Sequence, residues 1–411
     1  MKNVAIIGGG ITGCVAALLL TKHNCKINLY EKSNSLGGIL KDYIQNDKVF
    51  FSGPQYIDSA NWINDLYELH GFNKVLKKIE YVFGSYTDLF DNNGIVSNCY
   101  AHPITNNKFI KIKDLKAISL YKRLKSYQED INIPLIDWCN KFGNNLNILH
   151  NECHYAMQVG RIFFSKDKFK INKLKNKSKI ADNLLGIPNK IKYQSAYIPK
   201  NSFNEFFVML RNHLLKKGVK FHQNEVVRIK DKEKKIYFGK NKINSDYFVW
   251  ACNPVPLVNY SGLGKLDNLT VKMVTHFFEI KLSKKLKNDA YYQIFCKNKN
   301  LNRIYIYNIK NKIKLNVECF YVRNDNEKKK LNKDVIKFLK KFGYSVKSAK
   351  YVGCKNELRH ILVTINDNNI FKNLAAKRKF KKFIPGSWEI YGRQKKIDKI
   401  NMEINQRIFR K

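Results

Sequence analysis

Three glycines near the start of the chain carry its most specific chemistry. Gly8, Gly10 and Gly13 stand at G-x-G-x-x-G spacing. The first position permits a tight turn, the second lets a pyrophosphate reach the backbone, and the third lets a helix pack close to a strand. Ile11 and Thr12 add backbone N–H groups at the positive end of the following helix, where an anion is favoured. Glu31, about twenty residues on, is an acid able to accept hydrogen bonds from ribose hydroxyls. The set predicts binding of a dinucleotide, either FAD or a nicotinamide cofactor. Arg161 and Arg303 are candidate phosphate ligands, because a guanidinium meets phosphate through two hydrogen bonds. A solvated strand arginine is the alternative for Arg303. Other chemistries lack their residues: Cys153 and His154 are neighbours whose side chains diverge, a poor nucleophile–base pair. His70, His213 and His222 have no partners at metal-ligand spacing, so no metal is predicted. Neither a Walker loop nor a Gly-x-Ser-x-Gly elbow occurs.

The elements around these residues follow from pattern. Val4 to Ile7 is an apolar, β-branched run of the kind buried on both faces of a parallel sheet. Cys14 to Leu20 reads as a helix, and Lys26 to Tyr30 as a second strand ending at Glu31. A helix through Phe206 and Leu215 stops near Gly218. A strand from Val219, a second over Glu225–Ile229, a hairpin around Ile236–Phe238 and Lys242–Ile243, and a buried strand before Pro254 come next. Alternation between Val271 and Phe320 predicts antiparallel strands. Lys166 to Lys179 is Lys- and Asn-rich and reads as a loop, either a lid or a plain connector.

The chain has 411 residues, ample for a large core, with 44% hydrophobic and 13% aromatic content that excludes a disordered or fibrous protein. Its 9 cysteines include no Cys-x-x-Cys pair, which predicts free thiols in a reducing cytoplasm. The formal net charge is +43. Such a surplus suggests a polyanionic partner, yet the basic residues are spread along the chain beside abundant Asn and Ile. The expectation is therefore no nucleic-acid partner, and a positive field that draws a small anionic substrate or holds the protein at an anionic membrane.

Lys32-Ser33-Asn34-Ser35-Leu36-Gly37-Gly38 continues the first motif. An acid at the second strand followed by paired glycines resembles the large glutathione-reductase-like flavoprotein group, and that resemblance implies FAD, with Lys32, Gly37 and Gly38 at the cofactor. Further on, the chain resembles the UDP-galactopyranose mutases. Gly53-Pro54-Gln55-Tyr56-Ile57-Asp58 matches the frame of their flavin-facing Gly-Pro/Ala-His-Ile-Phe-His segment, with Gln55 in place of the histidine. Ala101-His102-Pro103-Ile104 looks like the family's cleft-forming Leu-Pro-Phe/Ile-Asn element. Tyr193-Gln194-Ser195-Ala196-Tyr197-Ile198-Pro199-Lys200 looks like its Tyr-Gln-Gly-Ile-Pro-Lys entry to a helix. Asn302-Arg303-Ile304 resembles its Thr-Arg-Ile, whose arginine lies beside flavin and sugar. Gly386-Ser387-Trp388-Glu389-Ile390-Tyr391 falls on the C-terminal stretch that grips FAD a second time, although Ser387 stands where the family has arginine. Arg393-Gln394-Lys395-Lys396 replaces the family's Tyr-Tyr-Asp-Met.

What the resemblance implies is an α/β fold: a Rossmann-type, glutathione-reductase-like FAD-binding domain with inserted helical and antiparallel-sheet substrate domains. Residues 1–75, 186–260 and 355–411 are expected to form the FAD-binding domain, 76–185 a mainly helical lid, and 261–354 the antiparallel sheet. Gln55 and Arg303 become catalytic candidates. Val226, near the adenine, joins Gly386 and Ser387 as a cofactor contact, and Pro103, Arg161, Tyr197, Tyr391 and Arg393 as substrate contacts. The implied function is conversion of a nucleotide sugar in surface-glycan synthesis, the reduced flavin N5 adding to the anomeric carbon. The alternative is hydride removal by oxidised flavin, as in the amine oxidase, protoporphyrinogen oxidase and desaturase group. A cytoplasmic enzyme, with peripheral membrane association and a homodimer both open, completes the expectation.

Overall fold

The structure is a computed structural model and describes residues 1–53, 56–89, 94–97, 102–103, 117–127, 129–143, 145–159, 162–163, 193–230, 235–320, 325–376 and 382–409. Gln55, Arg161 and the Lys166–Lys179 segment lie outside them.

Five parallel strands make the first sheet, in the order Lys220–Gln223, Cys25–Glu31 (β2), Lys2–Ile7 (β1), Tyr247–Trp250 and Phe383–Pro385. Val4, Ala5 and Ile6 are fully buried at its centre, as a strand covered on both faces requires. Helix α1, Ile11–Leu20, is apolar almost all round. That composition suits a helix enclosed between the sheet and the helices Phe203–Lys216 and Arg393–Ile404. The helix Phe203–Lys216 is capped twice: Ser202 Oγ accepts from the Glu205 N–H, and the Asp42 carboxylate accepts from the N–H groups of Phe203 and Asn204 at 2.9 Å each.

A nine-stranded mixed sheet forms the second layer, running Val346–Leu362, Leu269–Leu282, Lys312–Phe320, Leu301–Ile309, Ala290–Phe295, Leu76–Thr87, Tyr193–Pro199 and Ile57–Asp58, with Gly94–Ser97 beside Leu76–Thr87. The expected strands between Val271 and Phe320 are there. Side chains on its two faces alternate. Ile304 and Ile306 pack beneath the helix Asp325–Lys341 through Leu331, Val335 and Phe338, whereas Tyr291, Tyr305 and Tyr307 face the core that contains α1.

Two segments differ from the expected partition. Leu76–Thr87 begins the stretch read as a mainly helical lid but is a strand inside this sheet, zipped to Tyr193–Pro199 and Ala290–Phe295. Residues 355–362 complete the seventeen-residue strand Val346–Leu362 that pairs with Leu269–Leu282. Helices do follow, at Leu120–Lys125, Glu129–Asn140 and Cys153–Ala156, packed around Trp138. Among the described residues, no helix is long and apolar enough to cross a membrane.

The hairpin Asp42–Gln45/Lys48–Phe51 is tied to the large sheet by Glu279, whose carboxylate takes Lys314 at 2.6 Å and Lys48. Burial raises the Glu279 carboxyl, but the two ammonium groups outweigh it and hold its pKa at about 2, below the 4.5 of an unperturbed glutamate. The folded state then binds fewer protons than the unfolded chain. This cluster stabilises fully above the ordinary carboxylate range and loses its contribution as pH falls toward 2. Glu279→Gln is expected to lower urea stability at pH 7 by about 1 kcal/mol, the upper end for partly exposed pairs, with the loss shrinking at the acid end. Equal losses at pH 7 and in acid would contradict this reading.

Candidate functional site

The carboxyl ends of the parallel strands converge on one crevice, the place where open α/β sheets bind ligands. Gly8 follows β1 with φ +109°, its N–H donating to Tyr30 O at 2.8 Å, while Ala251 N–H donates to Ile7 O at 2.8 Å. A Cβ on Gly13 would stand 1.9 Å from Gly8 O, so helix and turn touch without room for any side chain. Gly10 has open space instead: a Cβ there would meet nothing nearer than Gly38 Cα at 3.9 Å. The first turn of α1 has neither a side-chain cap nor an acidic residue, which leaves its N–H groups to an anion. Gly37 N–H donates to Gly9 O at 2.9 Å and lays the glycine pair beside the turn; Lys32 is exposed at its rim.

Glu31 is where the spacing placed it, at the end of β2, and it does more than wait for a ribose. Its Oε2 accepts from Gly9 N–H at 2.7 Å, and its Oε1 accepts from the Ser33 N–H at 3.0 Å and hydroxyl at 2.8 Å. A carboxylate offers about four acceptor positions, so one remains for a ribose hydroxyl. Val226 lies just beyond the strand that pairs Gln223 with Glu31 and is exposed at the same edge. Gly386 and Ser387 follow the strand Phe383–Pro385; a Cβ on Gly386 would meet Trp250 O at 2.7 Å, and Ser387 is buried at φ +53°. Trp388 Nε1 donates to Cys252 O at 2.9 Å and closes this corner. The uncapped helix, the open face at Gly10 and the spare acceptor on Glu31 fit the pyrophosphate and ribose of a dinucleotide.

Arg303 lies on the strand Leu301–Ile309 of the large sheet. It is neither solvated nor unopposed: Nε donates to the fully buried Glu318 at 2.6 Å, and Nη1 donates to Tyr291 Oη at 3.4 Å. Tyr291 meets Tyr56 edge-on at 6.5 Å, and Arg393, first in the helix Arg393–Ile404, donates to Tyr56 O. Asn316 Nδ2 donates to Phe51 O and Gly53 O, and Tyr307 Oη accepts from Phe51 N–H at 3.1 Å while donating to Asn316. The structure thus gathers Arg303 and Arg393 at the segment ending at Tyr56. Asn316, Tyr307, Tyr291 and Glu318 escaped the sequence reading. Their trace is polar residues alternating inside apolar strands.

Two candidate substrate contacts are corrected. Tyr197 is fully buried and its hydroxyl donates to Asn64 Oδ1 at 2.8 Å, which makes it a packing residue under the helix Asn61–Leu69. Tyr391 Oη accepts from Val363 N–H and donates to Ile361 O, so it braces backbone. Pro103 lies in a short strand, His102–Pro103, paired with Ile162–Phe163. Cys153 donates to Val363 O at 3.1 Å, and burial pushes its thiol up to about 12, far from a thiolate nucleophile. Among the described residues, no group of three or more His, Cys, Asp and Glu side chains could hold a metal ion.

Residues 6–68 match a family of NAD(P)-binding Rossmann-like domains. A structure of reduced UDP-galactopyranose mutase superposes over 99% of this chain and 95% of its own, with TM-score 0.65 and 13% identity. The chain has that fold. A putative protoporphyrinogen oxidase from Exiguobacterium sp. 255-15 shares it, at TM-score 0.60 and 14% identity over 98% of both chains. So does putrescine oxidase, at TM-score 0.60 and 11% identity over 98% of this chain and 97% of the other. In sequence, 93 residues are 26% identical to a 4,4'-diapophytoene desaturase of Staphylococcus aureus (strain MRSA252), a match spanning 22% of this chain and 18% of that protein.

With this fold, Gly13→Ala is expected to abolish dinucleotide retention on gel filtration, because the helix must retreat from the turn. Gly71 has φ +73° but nothing within 4 Å of a Cβ. Gly71→Ala should cost stability of about 1 kcal/mol and leave dinucleotide binding intact. Retention by the first variant would refute the close-approach argument.

Proposed function

We propose that this chain is an FAD-dependent enzyme that acts on a nucleotide sugar in the manner of a UDP-galactopyranose mutase. The observation that carries the reading is the juxtaposition of the glycine cradle with a polar sheet face. The cradle fits the cofactor's pyrophosphate, and the large sheet carries Arg303 against Tyr291, which meets Tyr56, whose carbonyl takes Arg393. A sugar diphosphate needs hydrogen-bonding groups and positive charge, and this face supplies both. FAD, when bound, supplies a nucleophilic N5 in its reduced form or a hydride acceptor in its oxidised form. Gly8, Gly10, Ile11, Thr12, Gly13, Gly37, Gly38, Glu31, Lys32, Val226, Gly386 and Ser387 hold it. Glu318 fixes the Arg303 guanidinium, which orients the substrate's oxygen atoms; Gln55 stays a catalytic candidate and Arg161 a substrate contact on the family resemblance alone, both lying outside the described residues. A discontinuous FAD-binding domain drawn from 1–75, 186–260 and 363–411, with Leu76–Thr87 and residues 355–362 assigned to the large sheet, the cytoplasmic setting, contact with an anionic membrane and a homodimer belong to the same proposal.

A second reading, hydride removal from substrate, is favoured by the likeness of 93 residues to a desaturase. The two separate cleanly. The purified protein is expected to show a bound-flavin absorption band and, after dithionite reduction, to interconvert ring forms of at least one nucleotide sugar from a panel. Arg303→Ala should lower kcat/KM by about a hundredfold, the scale of losing one oriented charge, and Arg303→Lys should recover only part. Bleaching of the oxidised flavin by an amine or polyene with no sugar turnover would replace the mutase by an oxidoreductase, and a protein that takes up no FAD would end both.

A further inference from the structure

The cofactor crevice uses one edge of the parallel sheet; the opposite, amino-terminal edge carries a cavity of its own. It is a half-open hollow of about 470 Å³, within the roughly 300–1,000 Å³ of small-molecule sites. Its walls come from the starts of three sheet strands, the paired strands Lys235–Phe238 and Asn241–Lys242, and the helix Val255–Ser261. Among the described residues, Lys235, Lys242 and Lys382 line it together with the Asp246 carboxylate. That carboxylate already accepts the Asn3 N–H at 2.7 Å, and Asn3 Nδ2 is spent on Asn244 O. The floor is aromatic. Phe248 and Phe383 stack with centroids 5.2 Å apart, and Tyr260 leans on Phe383 at 5.9 Å. Lys382 holds its ammonium over both stacked rings, 6.0 Å and 5.9 Å from their centroids, so a cation is fixed where charge meets apolar surface.

We propose that this cavity is a second ligand site, for a small anion that carries a flat ring, such as an aryl or nucleoside monophosphate. The lysines neutralise the anionic group, and the ring lies against Tyr260 and the Phe248–Phe383 pair. Surplus charge alone does not account for it: the site combines a half-open hollow, the ammonium groups of Lys242 and Lys382 and an aromatic wall, and it faces away from the glycine cradle. The proposal holds whichever reaction the crevice performs.

Calorimetric titration with phenyl phosphate, beside inorganic phosphate as the charge-only probe, tests it on FAD-loaded protein, or on the protein as purified if no FAD binds. One equivalent of phenyl phosphate is expected to bind about tenfold more tightly than phosphate, a gap of about 1.4 kcal/mol. Lys382→Gln with Lys242→Gln should weaken phenyl phosphate at least about tenfold while thermal stability holds, and Lys382→Arg should restore it. Lys337→Gln with Lys340→Gln, remote on the helix Asp325–Lys341, should change binding less than about twofold. Equal affinity for the two probes, multiple equivalents, or identical losses in the two double variants would show unspecific attraction to a basic surface and overturn the proposal.

Discussion

The contact on which everything else rests is backbone against backbone. Helix α1 comes so near the turn after β1 that Gly13 has the Gly8 carbonyl where a side chain would begin. This closeness aims the free N–H groups of α1 into the crevice. It also lets Gly9 reach Glu31 and Gly37, so turn, second strand and glycine pair form one hydrogen-bonded unit. A packed interior cannot yield by the width of a methyl group without disturbing its neighbours. The helix enclosed behind this turn therefore transmits the constraint to the helices on either side of it.

The second layer is joined to the first by polar groups placed in otherwise apolar surroundings. Tyr307 and Asn316 grip Phe51 and Gly53 from the sheet, and the Arg303–Glu318 pair sits two residues along from Asn316 on the same ladder. Buried polar contacts of this kind are costly unless satisfied, and so they specify one arrangement of the layers rather than many. The crevice owes its shape to them. A purely oily interface would permit sliding, whereas these hydrogen bonds set where Phe51 and Gly53 lie.

Much of this was legible from the chain. The β1–α1–β2 unit declares itself because its signals are local: a buried run, glycines at fixed offsets and an acid at the strand end. The strands from Leu269 to Phe320 show their alternation for the same reason. Leu76–Thr87 was harder, since Lys77, Lys78 and Glu80 obscure the apolar face and its partners lie far along the chain at Ala290–Phe295 and Tyr193–Pro199. Tyr197 illustrates a different limit. Its neighbourhood matches a family motif, but which way a strand residue faces depends on register, and here the hydroxyl ends on Asn64. For Arg303 the two sequence readings, phosphate ligand or solvated surface, both omitted the buried carboxylate that holds it.

Glu31 has a consequence for discrimination among ligands. A carboxylate anchored by two backbone N–H groups and a serine hydroxyl cannot swing aside, and its charge stays at the ribose end of the crevice. A ribose with free hydroxyls finds a ready acceptor there. One esterified with an additional phosphate brings like charges together beside an apolar core, where water screens them poorly. Under the proposed dinucleotide binding, the residue that braces the turn would also be a sieve, favouring adenosine with unmodified ribose over its 2′-phosphorylated counterpart.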